Sequence, residues 1–396
     1  MSSSPLSPFS PTSPHPIMNL TPVKQLASPR GVVLLDEMTG KTATLQHIVH
    51  NVTYYYSTHE SAALDWSVLQ HIGSLLEELQ REDTAQGTAT EREIHKQRAI
   101  TLRQEISKVT FDLASQRIIA RDYEHAVPAG LRCLRTLQVL YGESSTRLVP
   151  AYLLLGEANL RLGRTNQAEE FLSMSSYILS KSSEPLFDVK SRLYRNFGKL
   201  YLAQKNPSTA IEAFSKDILY SSQAQGPESL LTAPGYYYLG KAFENHNKHN
   251  AALACYDKVV QIWFMHMTNT LNSLAKAVSQ LTAIAKDGTT DTQYQPNFIT
   301  RKPVNEIIGP VEIAEGLDLL ESIRLLRMQQ LGEKHISVAE VAYTRALVFQ
   351  QLGPEREDEE GYNADHDIQT TKTLLDQAIS IFRHEKVSKT RIIVNF

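Results

Sequence analysis

Two stretches of this 396-residue chain decide its fold, YRNFGKLYLAQKNPSTAIEAF at residues 194–214 and YYYLGKAFENHNKHNAALACY at residues 236–256. Each starts with a large residue, followed by a large residue three positions on, a small one at four, an aromatic one at seven, alanine at sixteen and an aromatic residue at twenty. In a pair of packed helices the small residue permits a close approach, and the aromatic residues fill the space beside it. The spacing therefore predicts helical hairpins.

The same frame continues towards the N-terminus. YLLLGEANLRLGRTNQAEEFL (152–172) fits it with Asn159 at the aromatic position, and TFDLASQRIIARDYEHAVPAG (110–130) fits it more weakly. Small residues recur every 42 positions in the first helix of each hairpin, and alanines recur every 42 positions in the second: Ala114, Gly156, Gly198 and Gly240, then Ala126, Ala168, Ala210 and Ala252. A fixed step of this kind predicts stacked structural repeats.

This pattern resembles the tetratricopeptide repeat, and its step, longer than the usual period of about 34, resembles the long-helix repeats of kinesin light chains. The sequence therefore predicts an all-α, tetratricopeptide-type α-solenoid of 42-residue helical hairpins. Residues 98–286 are predicted to hold four repeats, and residues 257–286 to form one long helix that caps or braces them.

Further helices are predicted at 310–331, 336–352 and 368–384. The last two form an interrupted repeat, in which Ala346 and Gly353 match Gly156 and Gly163. An acidic insertion, 353–367, separates its helices. Such a charge run is either a mobile loop or a surface that contacts basic partners.

The N-terminal 30 residues are rich in serine, proline and threonine. Proline blocks helix interiors and the segment has no apolar periodicity, so residues 1–30 are predicted to be a disordered leader. Its Ser-Pro and Thr-Pro dipeptides are either kinase sites or parts of a plain flexible leader. Residues 82–96 are polar and predict a linker or a fraying helix start.

Composition excludes several classes of protein. A net charge of −3 with 21% charged residues gives no basic nucleic-acid surface, and no run approaches the roughly 20 apolar residues that cross a bilayer. Two cysteines, Cys133 and Cys255, exclude a disulfide framework and an all-cysteine zinc site, which favours a reducing, cytosolic compartment. No phosphate-binding loop, dinucleotide fingerprint or hydrolase motif occurs, so the chain is predicted not to be an enzyme.

Residues 31–80 form a compact segment. Its stretch DEMTGKTATLQHIVHNVTYYYSTHESAALDW (36–66) resembles a MYND zinc module whose cysteines have been replaced, with Asp65-Trp66 at the family's dipeptide before the last helix. The resemblance places six residues at relic ligand positions: Asp36, Thr39, His47, His50, Tyr56 and His59. The alternatives are residual metal binding by the three histidines and Asp36, or a relic fold held by Tyr54, Tyr55, Tyr56 and Trp66. We expect the second, with no zinc and no other cofactor.

A degenerate MYND module before tetratricopeptide repeats resembles the MYND-domain-containing ciliary proteins that are associated with inner-arm dynein. The likeness is carried by residues 52–56 (VTYYY), 125–172, 195–206 (RNFGKLYLAQKN) and 259–263 (VVQIW). It implies an axonemal scaffold of motile cilia and flagella that attaches or stabilises an inner-arm dynein heavy chain on doublet microtubules. It also implies a second tetratricopeptide protein as a partner, and neither nucleic acid nor a membrane.

The residues themselves leave another function open. The concave face of the repeats is predicted to present a basic groove, whose candidate partner-binding residues are Arg192, Arg195, Lys199, Tyr237 and Lys241. Such a groove suits an acidic peptide tail. The alternative function is therefore a cytosolic tetratricopeptide co-chaperone that binds acidic tails, for example in dynein preassembly.

Overall fold

The computed structural model describes residues 21–22, 33–36, 38–49, 52–85, 87–287, 310–352 and 364–384. Two compact units make up the chain, Met1–Ala158 and Asn159–Phe396. In the described residues, no helix is both long and apolar enough to cross a membrane.

A small antiparallel sheet opens the first unit, with strands β1 (Thr21–Pro22), β2 (Leu45–Val49) and β3 (Val52–Tyr56) in that order. Alternate residues of β2 and β3 point to one side, where Val49, Tyr54 and Tyr56 pack on Ala62 and Leu69 of the following helix. That helix, α1, spans His59–Thr84 and starts with a capping box between Thr58 and Ser61.

Two predictions for this unit need correction. Thr21 and Pro22 pair with β2, although residues 1–30 were predicted to be disordered. The edge of β2 offers unpaired backbone groups, and proline is tolerated at such an edge because it has no N–H to leave unpaired inside a sheet. The rest of the leader lies outside the described residues.

Residues 82–96, predicted as a linker or a fraying helix start, are mostly helical, which agrees with the second alternative and corrects the first. Helix α1 continues to Thr84, and the next helix begins at Ala89 rather than near residue 98. The early start follows from a second capping box, in which Thr88 and Glu91 satisfy each other's backbone N–H groups.

Eleven further α-helices follow in the described residues: α2 (Ala89–Ile119), α3 (Tyr123–Tyr141), α4 (Val149–Arg161), α5 (Thr165–Lys181), α6 (Phe187–Ala203), α7 (Pro207–Gln225), α8 (Ala233–Asn245), α9 (His249–Asp287), α10 (Pro310–Leu331), α11 (Ile336–Leu352) and α12 (Ala364–His384). The pairs α2/α3, α6/α7, α8/α9 and α11/α12 pack as hairpins. The predicted fold class, an all-α tetratricopeptide-type solenoid, is confirmed.

The turns inside the hairpins repeat with the same step. Arg121, Gly163, Lys205 and Asn247 are each 42 residues apart, and all four have positive φ, between 58° and 72°. A left-handed residue directly after a helix ends it and lets the chain reverse. The repeat therefore fixes the helix ends as well as the helix faces.

In repeats three and four the two helices of the hairpin approach each other closely at a glycine, as the spacing predicts. A Cβ atom on Gly198 of α6 would lie 2.4 Å from Cε1 of Phe214 in α7, and one on Gly240 of α8 would lie 2.8 Å from Cε1 of Tyr256 in α9. Ala210 and Ala252, on the second helices, are buried at these crossings. In each of these two hairpins, a glycine of the first helix thus packs against an aromatic ring of the second helix, close to a buried alanine.

The C-terminal helices extend the core of the second unit. Helix α9 is continuous, so the long helix predicted at 257–286 is the extension of the second helix of repeat four. Helix α10 runs antiparallel to α9, because Gly316 packs on Trp263 while Arg327 pairs with Asp257. In the last hairpin Ala346 is buried against α12.

Helix α12 begins at Ala364 rather than at residue 368, so the end of the predicted acidic insertion is helical. Acidic side chains are favourable in the first turn of a helix, where they face the unpaired N–H groups. Gly353 and the other residues up to 363 lie outside the described part of the chain.

Replacing Gly198 with alanine tests the crossing. In an open helix this change stabilises by about 1 kcal/mol, but here the new methyl group meets the Phe214 ring. We expect Gly198→Ala to lower the free energy of unfolding by about 1–3 kcal/mol, measured by urea unfolding with far-UV circular dichroism. The control is Ser173→Ala on the exposed face of α5, and equal stability of the two variants would contradict the crossing.

Candidate interaction sites

Asp36 organises the N-terminal segment through its carboxylate. Oδ1 accepts hydrogen bonds from the backbone N–H groups of Met38 (2.6 Å) and Thr39 (3.0 Å). Oδ2 accepts from the backbone N–H of Ser57 (2.6 Å), from the Ser57 hydroxyl and from the Ser61 hydroxyl (3.0 Å). One side chain therefore joins the loop before β2 to the end of β3 and the start of α1.

This arrangement depends on the charged form of Asp36. Burial alone would raise the pKa of its carboxyl group, but the hydrogen bonds from Ser57, Met38 and Thr39 outweigh burial and lower the pKa from 3.8 to about 2. Both oxygens of the Asp36 carboxylate accept hydrogen bonds from groups of the chain itself. It thus cross-links the segment where the resemblance places a metal ligand.

The other relic ligand positions do not converge on one point. Thr39 is exposed, and His47 is buried with its ring edge-on to Trp66 at 5.5 Å. Tyr56 donates a hydrogen bond to Asp65, and His59 is exposed at the first residue of α1. His50 lies outside the described residues. Among the described residues, no group of three histidine, cysteine or acidic side chains is placed to hold a metal ion.

A buried ion pair ties this segment to the first repeat. Asp65 of α1 is fully buried and accepts from the Tyr56 hydroxyl (2.7 Å) and from Nε of Arg132 in α3 (2.6 Å). The Arg132 guanidinium also lies 4.7 Å from the ring centroid of Tyr54. Burial and the neighbouring Asp65 charge raise the pKa of Tyr56, so the phenol stays protonated and donates. The N-terminal segment and the first hairpin therefore share one polar core.

Sequence reasoning missed Arg132. Its only signal was an arginine next to the apolar residues Cys133 and Leu134 within a predicted helix. An apolar face with one embedded arginine indicates a buried charge with a partner, but it does not identify that partner.

The predicted basic groove is not open in the second unit. The side chain of Arg195 is only 13% exposed. Its Nε atom donates to Oδ2 of Asp217 (2.8 Å), and Nη2 donates to the Leu231 carbonyl (3.0 Å). Burial lowers the pKa of Arg195 but the Asp217 charge outweighs burial, so its pKa is raised and the guanidinium stays charged. Arg195 therefore joins α6, α7 and the segment before α8.

Lys199 and Tyr237 are also engaged within the unit. The Nζ atom of Lys199 lies 3.8 Å from Glu315 of α10 and 4.6 Å from the ring centroid of Tyr238. The Tyr238 hydroxyl donates to the same glutamate at 3.2 Å, and Tyr237 is 8% exposed in the core. The groove prediction is wrong for Arg195, Lys199 and Tyr237, because Asp217 and Glu315 occupy the place of an acidic ligand. Arg192 and Lys241 are exposed.

Neither cysteine has the character of a nucleophile. The Cys133 thiol is buried and donates to the Ser107 carbonyl, and burial raises its pKa to about 12. Burial raises the pKa of the Cys255 thiol to about 11. Thiolate is the reactive form of cysteine, and both thiols are protonated at neutral pH.

Comparison with known proteins gives structural likeness without a family. No family model matches the chain. Similar solved structures include a variant from Podosopora anserina with nearly identical TPR-like repeats, assigned to the kinesin light chains (12% identity, 71% of this chain and 96% of that one, TM-score 0.34). Two others are BtubC from P. vanneervenii (13%, 71% and 93%, 0.31) and aspartyl phosphate phosphatase F from Bacillus subtilis (13%, 81% and 86%, 0.36). At these TM-scores the fold assignment rests on the helices and turns of this chain.

Acid titration tests the Asp36 cross-link. Because its pKa in the folded protein is about 2 against an ordinary 3.8, its stabilisation is complete above about pH 4 and is lost as the pH falls towards 2. We expect Asp36→Asn to lower the free energy of unfolding by about 2 kcal/mol at neutral pH. The difference from wild type should vanish towards pH 2 in urea unfolding at each pH. A difference independent of pH would show that the charge is not responsible.

Removing the Arg132 side chain tests the tie between α1 and α3. Arg132→Met leaves the fully buried Asp65 without its cation, and we expect a loss of about 3–5 kcal/mol in unfolding free energy. The matched control is Arg135→Met on the exposed side of the same helix, for which we expect a change within about 0.5 kcal/mol. Similar losses in thermal or urea unfolding of the two variants would exclude a special role for the pair.

Proposed function

We propose that this chain is a non-enzymatic scaffold that holds protein partners on the faces of its helical hairpins. The observation that carries this proposal is how the chain uses its buried charges. In the described part of the chain, the largely buried arginines Arg132, Arg195, Arg327 and Arg345 each pair with an acidic residue on another helix. Buried charges in a catalytic site face a substrate cavity, whereas these join helices to one another.

We further propose that the scaffold works in motile cilia or flagella, where it attaches or stabilises an inner-arm dynein on doublet microtubules together with a second tetratricopeptide protein. The support is the resemblance in residues 52–56, 125–172, 195–206 and 259–263. These stretches include β3, most of α3, all of α4, most of α6 with its turn, and the part of α9 that holds Trp263. They thus contain Gly198 of one close helix crossing and Arg132, which pairs with Asp65 of α1.

The co-chaperone alternative loses its main support. It requires a row of cations open to an acidic tail, but Arg195 and Lys199 already contact Asp217 and Glu315. A partner tail would have to displace these groups from an interface that also buries Tyr237. The engaged groove therefore favours a scaffold that binds through other faces.

Extraction of flagella tests the axonemal proposal. The full chain is expressed with a tag in a flagellated cell, and membranes are removed with detergent. We expect the chain to stay with the axonemes and to leave in high salt together with a dynein heavy chain, because exposed ionic contacts weaken with salt. A cytosolic protein with the same tag is the control. Complete recovery of the chain in the soluble fraction would rule out the axonemal role.

A further inference from the structure

Repeat three carries a stack of three aromatic rings at its surface. The ring of Tyr220 in α7 lies between those of Phe187 and Tyr194 in α6, with centroid distances of 6.3 Å and 5.5 Å and interplanar angles of 17° and 20°. All three residues are only partly buried. Next to them Leu219 is 53% exposed. We call these three rings the ring stack.

Two lysines flank the ring stack. The Nζ atom of Lys190 lies 5.9 Å from the Tyr220 centroid, and that of Lys216 lies 5.3 Å from the Tyr194 centroid. Among the described residues, neither ammonium group has a carboxylate within ion-pair distance. Asp188, in the same turn as Phe187, accepts a hydrogen bond from Gln225 at 3.3 Å. Both cations are therefore held by rings and remain available to an anion.

Helix α6 begins one α-helical turn earlier than α4 and α8, and in repeat two the equivalent residues, Thr146–Leu148, form a 3-10 helix. Helices α4 and α8 start at Val149 and Ala233, which both correspond to residue 191 after one step of 42. Helix α6 starts four residues earlier, at Phe187, and has 17 residues against 13 in α4 and α8. This first turn of α6 carries Phe187 and Lys190.

Phe187, Tyr220 and Lys190 depart from the repeat. The other two residues of the site do not, since Tyr194 corresponds to Tyr152 and Tyr236, and Lys216 corresponds to Lys258 in repeat four. The positions equivalent to Tyr220 are the buried Ile178 and Ile262, with 2% and 1% exposure. The positions equivalent to Lys190 are the fully buried Leu148 and Thr232, and those equivalent to Phe187 are Ser145 and Ser229. The hairpin thus packs in two neighbouring repeats without an aromatic residue or a cation at these places. Their presence in repeat three is not required by the fold, which points to binding.

We infer that the ring stack, with Lys190 and Lys216, is the docking face for an acidic segment of a partner protein. Carboxylates of that segment lie against the two ammonium groups, and an aromatic or aliphatic side chain between them lies on the rings. Tyrosines and neighbouring apolar residues supply contact area at low entropic cost, while the lysines select the sign of the charge. This inference rests on the scaffold function proposed above and names the chemistry of one partner.

Peptide binding to the full chain tests the inference. The probe is a fluorescein-labelled, glutamate-rich peptide with one central tyrosine, measured by fluorescence anisotropy at low and at physiological salt. The control probe has glutamine in place of every glutamate. We expect the glutamate peptide to bind, with affinity falling as salt rises, and the glutamine peptide to bind at least about tenfold more weakly.

Three variants locate the site. Lys190→Glu combined with Lys216→Glu should weaken binding by about tenfold or more, because both contacts become repulsive. Tyr220→Ile installs the residue of the neighbouring repeats, so the fold is preserved, and it should weaken binding about threefold to tenfold. Lys96→Glu combined with Lys108→Glu, on the exposed side of α2, is the matched charge control and should bind as wild type does. Far-UV circular dichroism checks the helix content of each variant.

Several results would overturn the inference. These are no binding of the glutamate peptide to the wild-type chain, equal binding of the glutamine peptide, or an equal loss in the double variant of Lys96 and Lys108. Self-association of the full chain that the double lysine variant abolishes would identify the occupant as the acidic insertion 353–367 of a second copy, and would also overturn it. A chain that binds the peptide but is absent from axonemes contradicts the ciliary proposal alone. A chain that stays with axonemes but ignores the peptide contradicts this inference alone.

Discussion

The close crossing of two helices at a glycine is the constraint on which the hairpins of this protein depend. At Gly198 and again at Gly240, the backbone of the first helix lies so near an aromatic ring of the second that a single methyl group does not fit. This contact sets the distance between the helices, and the ring fills the space that the glycine leaves. The left-handed residues Lys205 and Asn247 then end the first helices at equivalent places, so each hairpin reproduces the geometry of the preceding one.

Buried charges add specificity to this apolar packing. Asp65 with Arg132 joins the N-terminal segment to the first hairpin, and Asp217 with Arg195 joins α6 to α7. A buried pair is weak evidence for extra stability, but breaking it is costly, so it favours one arrangement of helices over others. Asp36 has a related role on a smaller scale, since its hydrogen bonds join the loop before β2 to the end of β3 and the start of α1. One consequence is that Arg195, a cation of the expected groove, is no longer available to a partner.

The surface that we propose for partner binding follows from this use of charge. A repeat protein binds through the surfaces that its packing leaves free, and its fold alone does not name the partner. In repeat three the free surface is unusual, because Phe187, Lys190 and Tyr220 stand where the neighbouring repeats have serines, a buried leucine or threonine, and buried isoleucines. The deviation of one repeat from its neighbours carries information that their common pattern does not, since the common pattern is what the hairpin needs in order to fold.

The sequence by itself determined the helices, the 42-residue step and the residues at the crossings. These depend on spacing within one hairpin, where periodicity and turn chemistry act over a few residues. It also identified Arg195, Lys199 and Asp36 as candidate site residues, but it did not reveal the groups that surround them in the folded chain. Only the tertiary structure decided that Glu315 meets Lys199, that Asp217 meets Arg195 and that Arg132 meets Asp65. The physical reason is that such partners lie on different helices, far apart in the chain, and are brought together only by the packing of whole helices, for which local pattern holds no signal.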